Sequence, residues 1–79
     1  MDFRKATDAL FSSVSHADLA KALGVSVPLI RQARLNPDAA AHRTPPGGWE
    51  KAVVELAEER AAHYRRLAAR MVSRKSGTQ

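Results

Sequence analysis

Apolar residues recur at helical spacing near the start of the chain and again near its end. Within residues 2–14 the apolar positions share one helical face, and they are Phe3, Ala6, Leu10, Phe11 and Val14. Such a stripe is typical of an amphipathic helix that buries one side. We identify no β-strand pattern, so the chain is predicted to be all-α, a small domain of about four helices with a long C-terminal helix.

Two shorter helices are predicted after this segment, the first from its capping residues. Ser15 has the character of an N-cap, and Asp18 three positions later is close to the acidic partner of a capping box. The helix that they begin spans about residues 16–23 and is predicted to end at Gly24. Glycine accepts the left-handed conformation that stops one helix and redirects the chain into the next.

The next helix is bounded by two further signals. Ser26 caps its start, and Pro28 falls in its first turn, where a missing N–H costs little. Asn36 ends it, because a residue that precedes proline is pushed out of the α region. Residues 36–48 contain three of the four prolines and two of the four glycines. They form a connector that is either an ordered turn or a mobile loop.

The spacing within residues 16–35 is that of a DNA-binding helix-turn-helix. Ala20 lies four positions before Gly24, and Ile30 lies six positions after it. Two helices that cross steeply need a small side chain at their contact, a turn residue that accepts positive φ, and an apolar anchor on the second helix. Ala20, Gly24 and Ile30 meet these needs in turn. The alternative is an ordinary helical hairpin in which the same residues serve packing alone.

The outward face of the second helix of this motif carries candidate DNA contacts, which are Ser26, Val27, Pro28, Arg31 and Gln32. Arg31 can donate two hydrogen bonds to guanine O6 and N7, and Gln32 can pair with adenine N6 and N7. Ser26 suits a phosphate contact, aided by free backbone N–H groups at the helix start. The side chains of Val27 and Pro28 offer apolar surface to a thymine methyl group.

Two arginines outside this face are further candidates. Arg34 is a candidate DNA contact, with a position at the rim of the interface or an ion pair with Asp38 as the alternatives. Arg43 precedes the Pro-Pro pair of the connector, from which it can touch a phosphate beside the recognition helix. The alternative for Arg43 is a solvated loop residue without a partner.

A long helix is predicted from Trp49 to Met71 or Val72. Its stripe advances by steps of three and four residues through Trp49, Val53, Leu56, Arg60, Tyr64, Leu67 and Met71. A helix of this length cannot bury its whole stripe against three short helices, so the stripe favours a dimer interface. Arg60 interrupts the stripe, which favours a short antiparallel or crossed contact. Residues 1–72 are therefore predicted to form the DNA-binding and dimerisation domain, and residues 73–79 a disordered tail.

Charge is unevenly distributed along the chain, whose formal net charge is +5. A basic balance suits a polyanionic partner, although solubility alone can also account for net charge. No acidic residue lies between Asp18 and Asp38, and residues 60–75 contain six basic residues and no acidic one. The basic end of the long helix either contacts phosphate or forms a rim around a dimer interface, and the sequence leaves both interpretations open.

Residues 16–34 read H-A-D-L-A-K-A-L-G-V-S-V-P-L-I-R-Q-A-R and resemble the helix-turn-helix of small Cro/cI-type bacterial and phage repressors. The segment R-T-P-P-G-G-W-E-K-A-V-x-x-L-A, with the basic helix after it, is similar to small regulators of phages and other mobile elements. These include anti-CRISPR-associated repressors and regulators of integrative elements.

The resemblance covers roughly residues 15–72. It implies a homodimer that binds an inverted-repeat operator and regulates its own promoter or a neighbouring one. The outward recognition positions of the family fall on Ser26, Val27, Pro28, Arg31 and Gln32. Ala33 departs from the pattern, since such motifs often carry a larger apolar residue there.

Composition argues against several other classes of protein. The chain has no cysteine, which excludes disulfides and thiolate metal sites, and its three histidines are not at ligand spacing. No catalytic constellation is found, so we expect no enzymatic activity, cofactor or small-molecule substrate. No apolar run approaches the ~20 residues of a membrane span. Residues 1–10 lack the apolar core of a signal peptide, so a cytoplasmic protein is expected.

We therefore expect a sequence-specific transcriptional regulator, a repressor that binds double-stranded DNA as a homodimer. The alternative is a protein-interaction module, such as an antitoxin or an antiactivator, that reuses the helix-turn-helix scaffold. The absence of acidic residues around Arg31 favours DNA as the partner.

Overall fold

The computed structural model describes the backbone of residues 2–77 and the side chains of residues 2–73. Four helices follow one another, and they are α1 (Phe3–Leu10), α2 (His16–Leu23), α3 (Val27–Ala33) and α4 (Trp49–Gly77). No strand occurs in this part of the chain. The predicted all-α fold with a long C-terminal helix is confirmed.

α1 is shorter than its apolar stripe predicts. The sequence indicates a helix over residues 2–14, whereas the helix ends at Leu10. The hydroxyl of Ser12 donates to the carbonyl of Ala9 at 2.9 Å, and the N–H of Val14 donates to the carbonyl of Leu10 at 3.1 Å. Serine side chains that bond to nearby backbone compete with the helix. The chain therefore turns after Leu10 and still delivers Val14 to the core.

The core lies where α1, α2, α3 and the first part of α4 meet. Its buried apolar members are Phe3, Leu10, Val14, Leu19, Ala20, Ile30, Ala33 and Ala52. Leu19 and Ile30 are the most enclosed, each with an exposed fraction of 0%. Trp49, the predicted anchor of the long helix, sets its ring edge-on against Phe3 with the ring centroids 5.2 Å apart. This T-shaped contact fixes the start of α4 on α1.

α3 and the connector after it differ in one boundary from the sequence prediction. α3 ends at Ala33, before the predicted stop at Asn36. The N–H of Leu35 donates to the carbonyl of Gln32 at 3.2 Å, which tightens the last turn. Asn36 then accepts the N–H of Asp38 on its side-chain oxygen at 3.0 Å. Within the connector, residues 37–41 and 47–48 form turns, and residues 42–46 between them have no regular structure.

α4 extends well beyond the core. Trp49, Val53 and Leu56 pack against the core cluster, whereas Tyr64 and Leu67 are 52% and 41% exposed. With a rise of about 1.5 Å per residue, the 29-residue helix is about 43 Å long. It accounts for most of the 61 Å long dimension of the molecule, whose other dimensions are 20 and 19 Å.

α4 also continues past its predicted end. The sequence predicts an end at Met71 or Val72 and a disordered tail at 73–79, but the helix runs to Gly77. Ser73 and the two basic residues after it carry no stop signal, and basic side chains near a helix C-terminus complement its dipole. Residues 78–79 of the predicted tail lie outside the described residues. Across residues 2–77 no helix combines the length and the apolar character needed to cross a membrane.

Candidate nucleic-acid interface

The turn between α2 and α3 follows a well-capped helix. The N–H of Asp18 donates to the hydroxyl of Ser15 at 3.0 Å, and the N–H of Ser15 donates to the carboxylate of Asp18 at 3.2 Å. At the other end of α2, Gly24 has a φ of 68°, and the N–H of Val25 donates to the carbonyl of Ala20 at 2.9 Å. The predicted capping box and glycine turn are confirmed, and they fix the direction in which α3 leaves α2.

Ser26 caps α3, and this use limits what the helix start can offer a phosphate. Its hydroxyl oxygen accepts the N–H of Leu29 at 3.3 Å, and Pro28 has no N–H to donate. Fewer backbone N–H groups than expected are therefore free to bind a phosphate at the start of α3. Ser26 itself is exposed, and its hydroxyl proton remains as a donor toward the outside.

α3 presents one face to the core and another to the outside. Ile30 is fully enclosed and Ala33 is only 4% exposed, so the small residue at the position that departs from the family pattern lies in the core. Pro28 and Arg31 are exposed, as the sequence predicts, and Gln32 is half-buried with part of its surface accessible. The outward face is thus narrower than predicted.

Val27 does not belong to this outward face. It is half-buried and packs against the core cluster. The physical reason is its position three residues before Ile30, since residues three apart on a helix share a face. Pro28 is therefore the exposed apolar residue in the first turn of α3, and Val27 contributes to anchoring the helix.

Arg34 turns away from the exposed face of α3 and crosses to α1. Its Nε donates to the hydroxyl oxygen of Thr7 at 2.9 Å, and its Nη2 forms an ion pair with Asp8. The predicted pair with Asp38 is wrong. The guanidinium is committed to α1, so in this arrangement Arg34 holds the end of α3 in place instead of presenting its charge beside Arg31.

Two rings complete the surroundings of Arg34. Its Cζ lies 5.1 Å from the centroid of the Phe11 ring, which in turn stacks on His16 with the centroids 4.0 Å apart. The Nη1 of Arg34 lies 3.3 Å from Nε2 of His16. The guanidinium therefore links α3 to α1 and to the first residue of α2 at one point.

Thr7 is the partner that reading the sequence missed. It is fully buried, and its hydroxyl donates to the carbonyl of Phe3 at 2.7 Å while its oxygen accepts from Arg34. The sequence does indicate that Thr7 is buried, because it lies four residues after Phe3 and three before Leu10, on the same helical face as the apolar stripe. A buried hydroxyl needs a partner, but the local sequence does not say that Arg34 provides it.

Arg43 lies beside α3, because the connector is tied back to that helix. The N–H of Arg43 donates to the carbonyl of Gln32 at 3.2 Å. The side chains of Arg43, Arg31 and Lys21 are all exposed. Within residues 2–73, Arg31 forms no ion pair. The connector therefore holds Arg43 close to the end of α3, whereas Lys21 lines a cleft between α2 and α4.

Arg60, which interrupts the stripe of α4, reaches α2. Its Nη2 lies 3.8 Å from the carboxylate of Asp18. The N–H and the hydroxyl of Ser15, and to a smaller extent the charge of Arg60, hold the pKa of Asp18 below its ordinary value. The acid that caps α2 therefore also ties that helix to α4, which accounts for a charged residue at a stripe position.

The basic second half of α4 continues beyond this contact, and its Arg66 lines the same cleft as Asp18 and Arg60. Arg65, Arg66 and Arg70 are exposed there. Whether they touch phosphate or surround a dimer interface stays a prediction. Among the side chains of residues 2–73, no group of three or more histidine, aspartate or glutamate residues is arranged to hold a metal ion.

Comparison of the chain with family models, with curated proteins and with solved structures found no match. The candidate interface is therefore defined by its own geometry, which is a capped helix pair with an exposed Arg31 and with Arg43 of the connector bonded to Gln32.

Proposed function

We propose that this chain is a sequence-specific DNA-binding regulator of transcription, a repressor that works in the cytoplasm. One observation supports the proposal most strongly. The capped turn between α2 and α3 holds Ile30 in the core and leaves Arg31 exposed, in a stretch of sequence without acidic residues. A single helix held in this way fits the major groove of B-DNA, which is about 12 Å wide.

The proposed contacts follow from the exposure of each side chain. Arg31 makes the main base contact, because a guanidinium can donate two hydrogen bonds to one guanine. Gln32 is half-buried and contributes a secondary base contact from its accessible part. Ser26 caps the start of α3 and Arg43 is held near its end by the bond to Gln32, and both contact phosphates in the proposed complex.

A homodimer on an inverted repeat completes the proposal. α3 has only seven residues, and one such helix reads too few base pairs for high affinity. Two copies related by a two-fold axis would bind two half-sites separated by about one helical turn, ~34–36 Å, or by a multiple of it. The proposal includes no enzymatic activity and no cofactor.

Selection of bound duplexes from a random-sequence pool tests the function directly. We expect a palindromic consensus, because it would reflect both base reading by α3 and two-fold pairing of the chain. An asymmetric consensus would leave DNA binding in place but contradict the homodimer. Recovery of no enriched sequence at low salt would sink the proposal and favour the protein-interaction module instead.

The role of Arg31 can be separated from its charge. We predict that Arg31→Ala weakens binding to the selected duplex by about 1–3 kcal/mol and relaxes preference at one base pair. Lys51→Ala is the matched control, since it removes the same charge from a side chain that is 84% exposed on α4. Equal losses on selected and random duplexes would show that Arg31 contacts phosphate, and base reading would then have to come from another residue.

A further inference from the structure

An apolar groove of about 370 Å³ runs along the outside of the fold between α1 and α4. Four of its lining residues are alanines, Ala6 and Ala9 from α1 and Ala57 and Ala61 from α4, and the larger Leu10, Val53 and Arg60 also line it. Tyr64 stands at the end of the groove that faces the second half of α4. Small side chains leave the surface concave, so another helix could approach closely.

The second half of α4 carries the opposite kind of surface. Leu67, Met71 and Val72 are 41%, 58% and 66% exposed. Leu67 and Met71 follow Tyr64 at steps of three and four residues, so they continue the face of α4 that borders the groove. A straight helix cannot bring its own end back to its middle. Whatever fills the groove with these side chains must therefore be another molecule.

We propose that the occupant is the α4 of a second copy of this chain, which crosses antiparallel with the two-fold axis at Tyr64. In this register the partner's Met71 meets Ala57, the partner's Leu67 meets Ala61, and Tyr64 meets the partner's Tyr64. The proposal deepens the homodimer of the proposed function and rests on it. It adds the face, the direction and the register of the pairing.

Side-chain size favours this direction. The antiparallel register sets Leu67 and Met71 of one helix against Ala61 and Ala57 of the other, and the symmetry does so twice. A parallel pairing would set Met71 against the partner's Met71 and Ala57 against the partner's Ala57. The groove would then stay unfilled while the large side chains crowd one another, which is poorer packing.

Charge favours the same direction. The first half of α4, residues 49–60, carries four acidic residues and two basic ones, which are Glu50, Glu55, Glu58 and Glu59 with Lys51 and Arg60. The second half, from residue 61 onward, carries arginines and no acidic residue. Antiparallel pairing lays the acidic half of one helix beside the basic half of the other, whereas parallel pairing lays like charges together. Exposed pairs of this kind add little stability, but they select orientation.

Single-cysteine variants test the register cleanly, because the natural chain has no cysteine. Tyr64→Cys is expected to form a covalent dimer under mild oxidation, since the two copies of residue 64 meet on the axis. Met71→Cys alone should not, because the two copies of residue 71 lie about 21 Å apart along the helices. A disulfide needs Cα atoms within about 7 Å.

A mixture of two variants provides a second route to the same register. Ala57→Cys chains mixed with Met71→Cys chains should yield a covalent heterodimer, even if loss of the tyrosine ring weakens the Tyr64→Cys pair. Arg66→Cys is the matched control, because residue 66 lies two positions from 64 on the opposite face and should not cross-link. Circular dichroism of each variant verifies that the helices are intact.

The possible outcomes separate this inference from the proposed function. Efficient self-linking of Met71→Cys would indicate a parallel pairing and overturn the inference. So would a native chain that sediments as a monomer, or as a dimer in which neither the 64–64 nor the 57–71 link forms. None of these measurements uses DNA. A chain that cross-links as expected but selects no duplex would retain the interface and lose the DNA-binding function.

Discussion

The two halves of α4 carry the same stripe but have different surroundings. In the first half Val53 and Leu56 pack against the core cluster. In the second half Tyr64, Leu67 and Met71 are exposed, with fractions between 41% and 58%. The difference shows that an apolar stripe identifies the face of a helix to be covered without identifying what covers it. For the first half the cover is α1 and α2, and for the second half the described residues leave Leu67 and Met71 exposed.

We call α1, α2, α3 and residues 49–60 of α4 the head of the molecule. The size of the head explains where along α4 the stripe changes from covered to exposed. The three short helices have seven or eight residues each, so they can flank only the beginning of a 29-residue helix. Arg60 marks the boundary, because it pairs with Asp18 at the edge of the head. Beyond it Tyr64 still borders the groove beside α1, whereas Leu67 and Met71 are exposed.

The largest expected effect compares a core residue of the head, Ile30, with Leu67 in the second half of α4. Ile30→Ala should lower the free energy of unfolding by about 2–5 kcal/mol, because a fully enclosed side chain leaves a cavity. Leu67→Ala removes a side chain that is 41% exposed. In dilute protein it should change the free energy of unfolding by no more than about 0.5 kcal/mol. Urea unfolding of both variants at low concentration measures the contrast.

Protein concentration is the control for this pair. If the second half of α4 is covered by another copy, the cost of Leu67→Ala should grow as concentration rises, while the cost of Ile30→Ala should already be present in the monomer. A Leu67→Ala cost as large as that of Ile30→Ala in dilute protein would contradict the division. It would mean that the second half of α4 is packed on its own head.

The parts of the fold that the sequence predicts correctly depend on local chemistry. Ser15 with Asp18, Gly24 and Ser26 act on backbone groups within a few residues, so their spacing alone identifies α2, the turn and the start of α3. The candidate site benefits in the same way, because Ile30 fixes which positions of α3 face inward. Arg31 and Pro28 are exposed as predicted for that reason.

The parts that the sequence does not predict depend on distant partners. Arg34 bonds to Thr7, which lies 27 residues away in the sequence. The ion pair with Asp38 is predicted instead because Asp38 is close to Arg34 in the sequence. Val27 shares the inner face with Ile30, although its apolar side chain also fits an outward contact. The alanines of the groove give no signal, because alanine is common on every face of a helix.

The next largest expected effect compares the stability contributions of Arg31 in α3 and Arg34 at the C-terminal end of α3. Arg34→Met should lower the free energy of unfolding by about 1–3 kcal/mol, because it removes charged hydrogen bonds to Thr7 and Asp8 at a side chain that is 23% exposed. Arg31→Met makes the same chemical change at an exposed position and should stay within about 0.5 kcal/mol of the native chain. Thermal unfolding of both variants provides the measurement.

The outcome also tests how the structure divides these two residues between folding and binding. If Arg31→Met destabilises as much as Arg34→Met, then Arg31 has a packing role and its value as a base reader falls. If Arg34→Met is neutral, the guanidinium is free to leave Thr7 and Asp8. Arg34 would then return to the set of candidate phosphate contacts.

The smallest expected effect concerns Asp18, which joins α2 to the boundary of the head. Its pKa is lowered in the folded chain, mainly by the N–H of Ser15 and then by the Ser15 hydroxyl. A carboxyl with a lowered folded pKa stabilises the fold above its unfolded pKa of about 3.9, and this contribution is lost as pH falls through the folded pKa. Asp18→Asn should therefore be less stable than the native chain at pH 7, with a difference that narrows below about pH 4.

Urea unfolding at pH 7 and in steps from pH 4 to pH 2.5 follows this difference. Asp38→Asn is the control, because it removes one negative charge from the connector, away from any helix cap. Its difference from the native chain should vary less over the same steps. A constant Asp18→Asn difference from pH 7 to pH 2.5 would show that the negative charge of Asp18 does not stabilise the fold. In that case the 3.8 Å approach of Arg60 to Asp18 would not contribute to joining the head to the first half of α4.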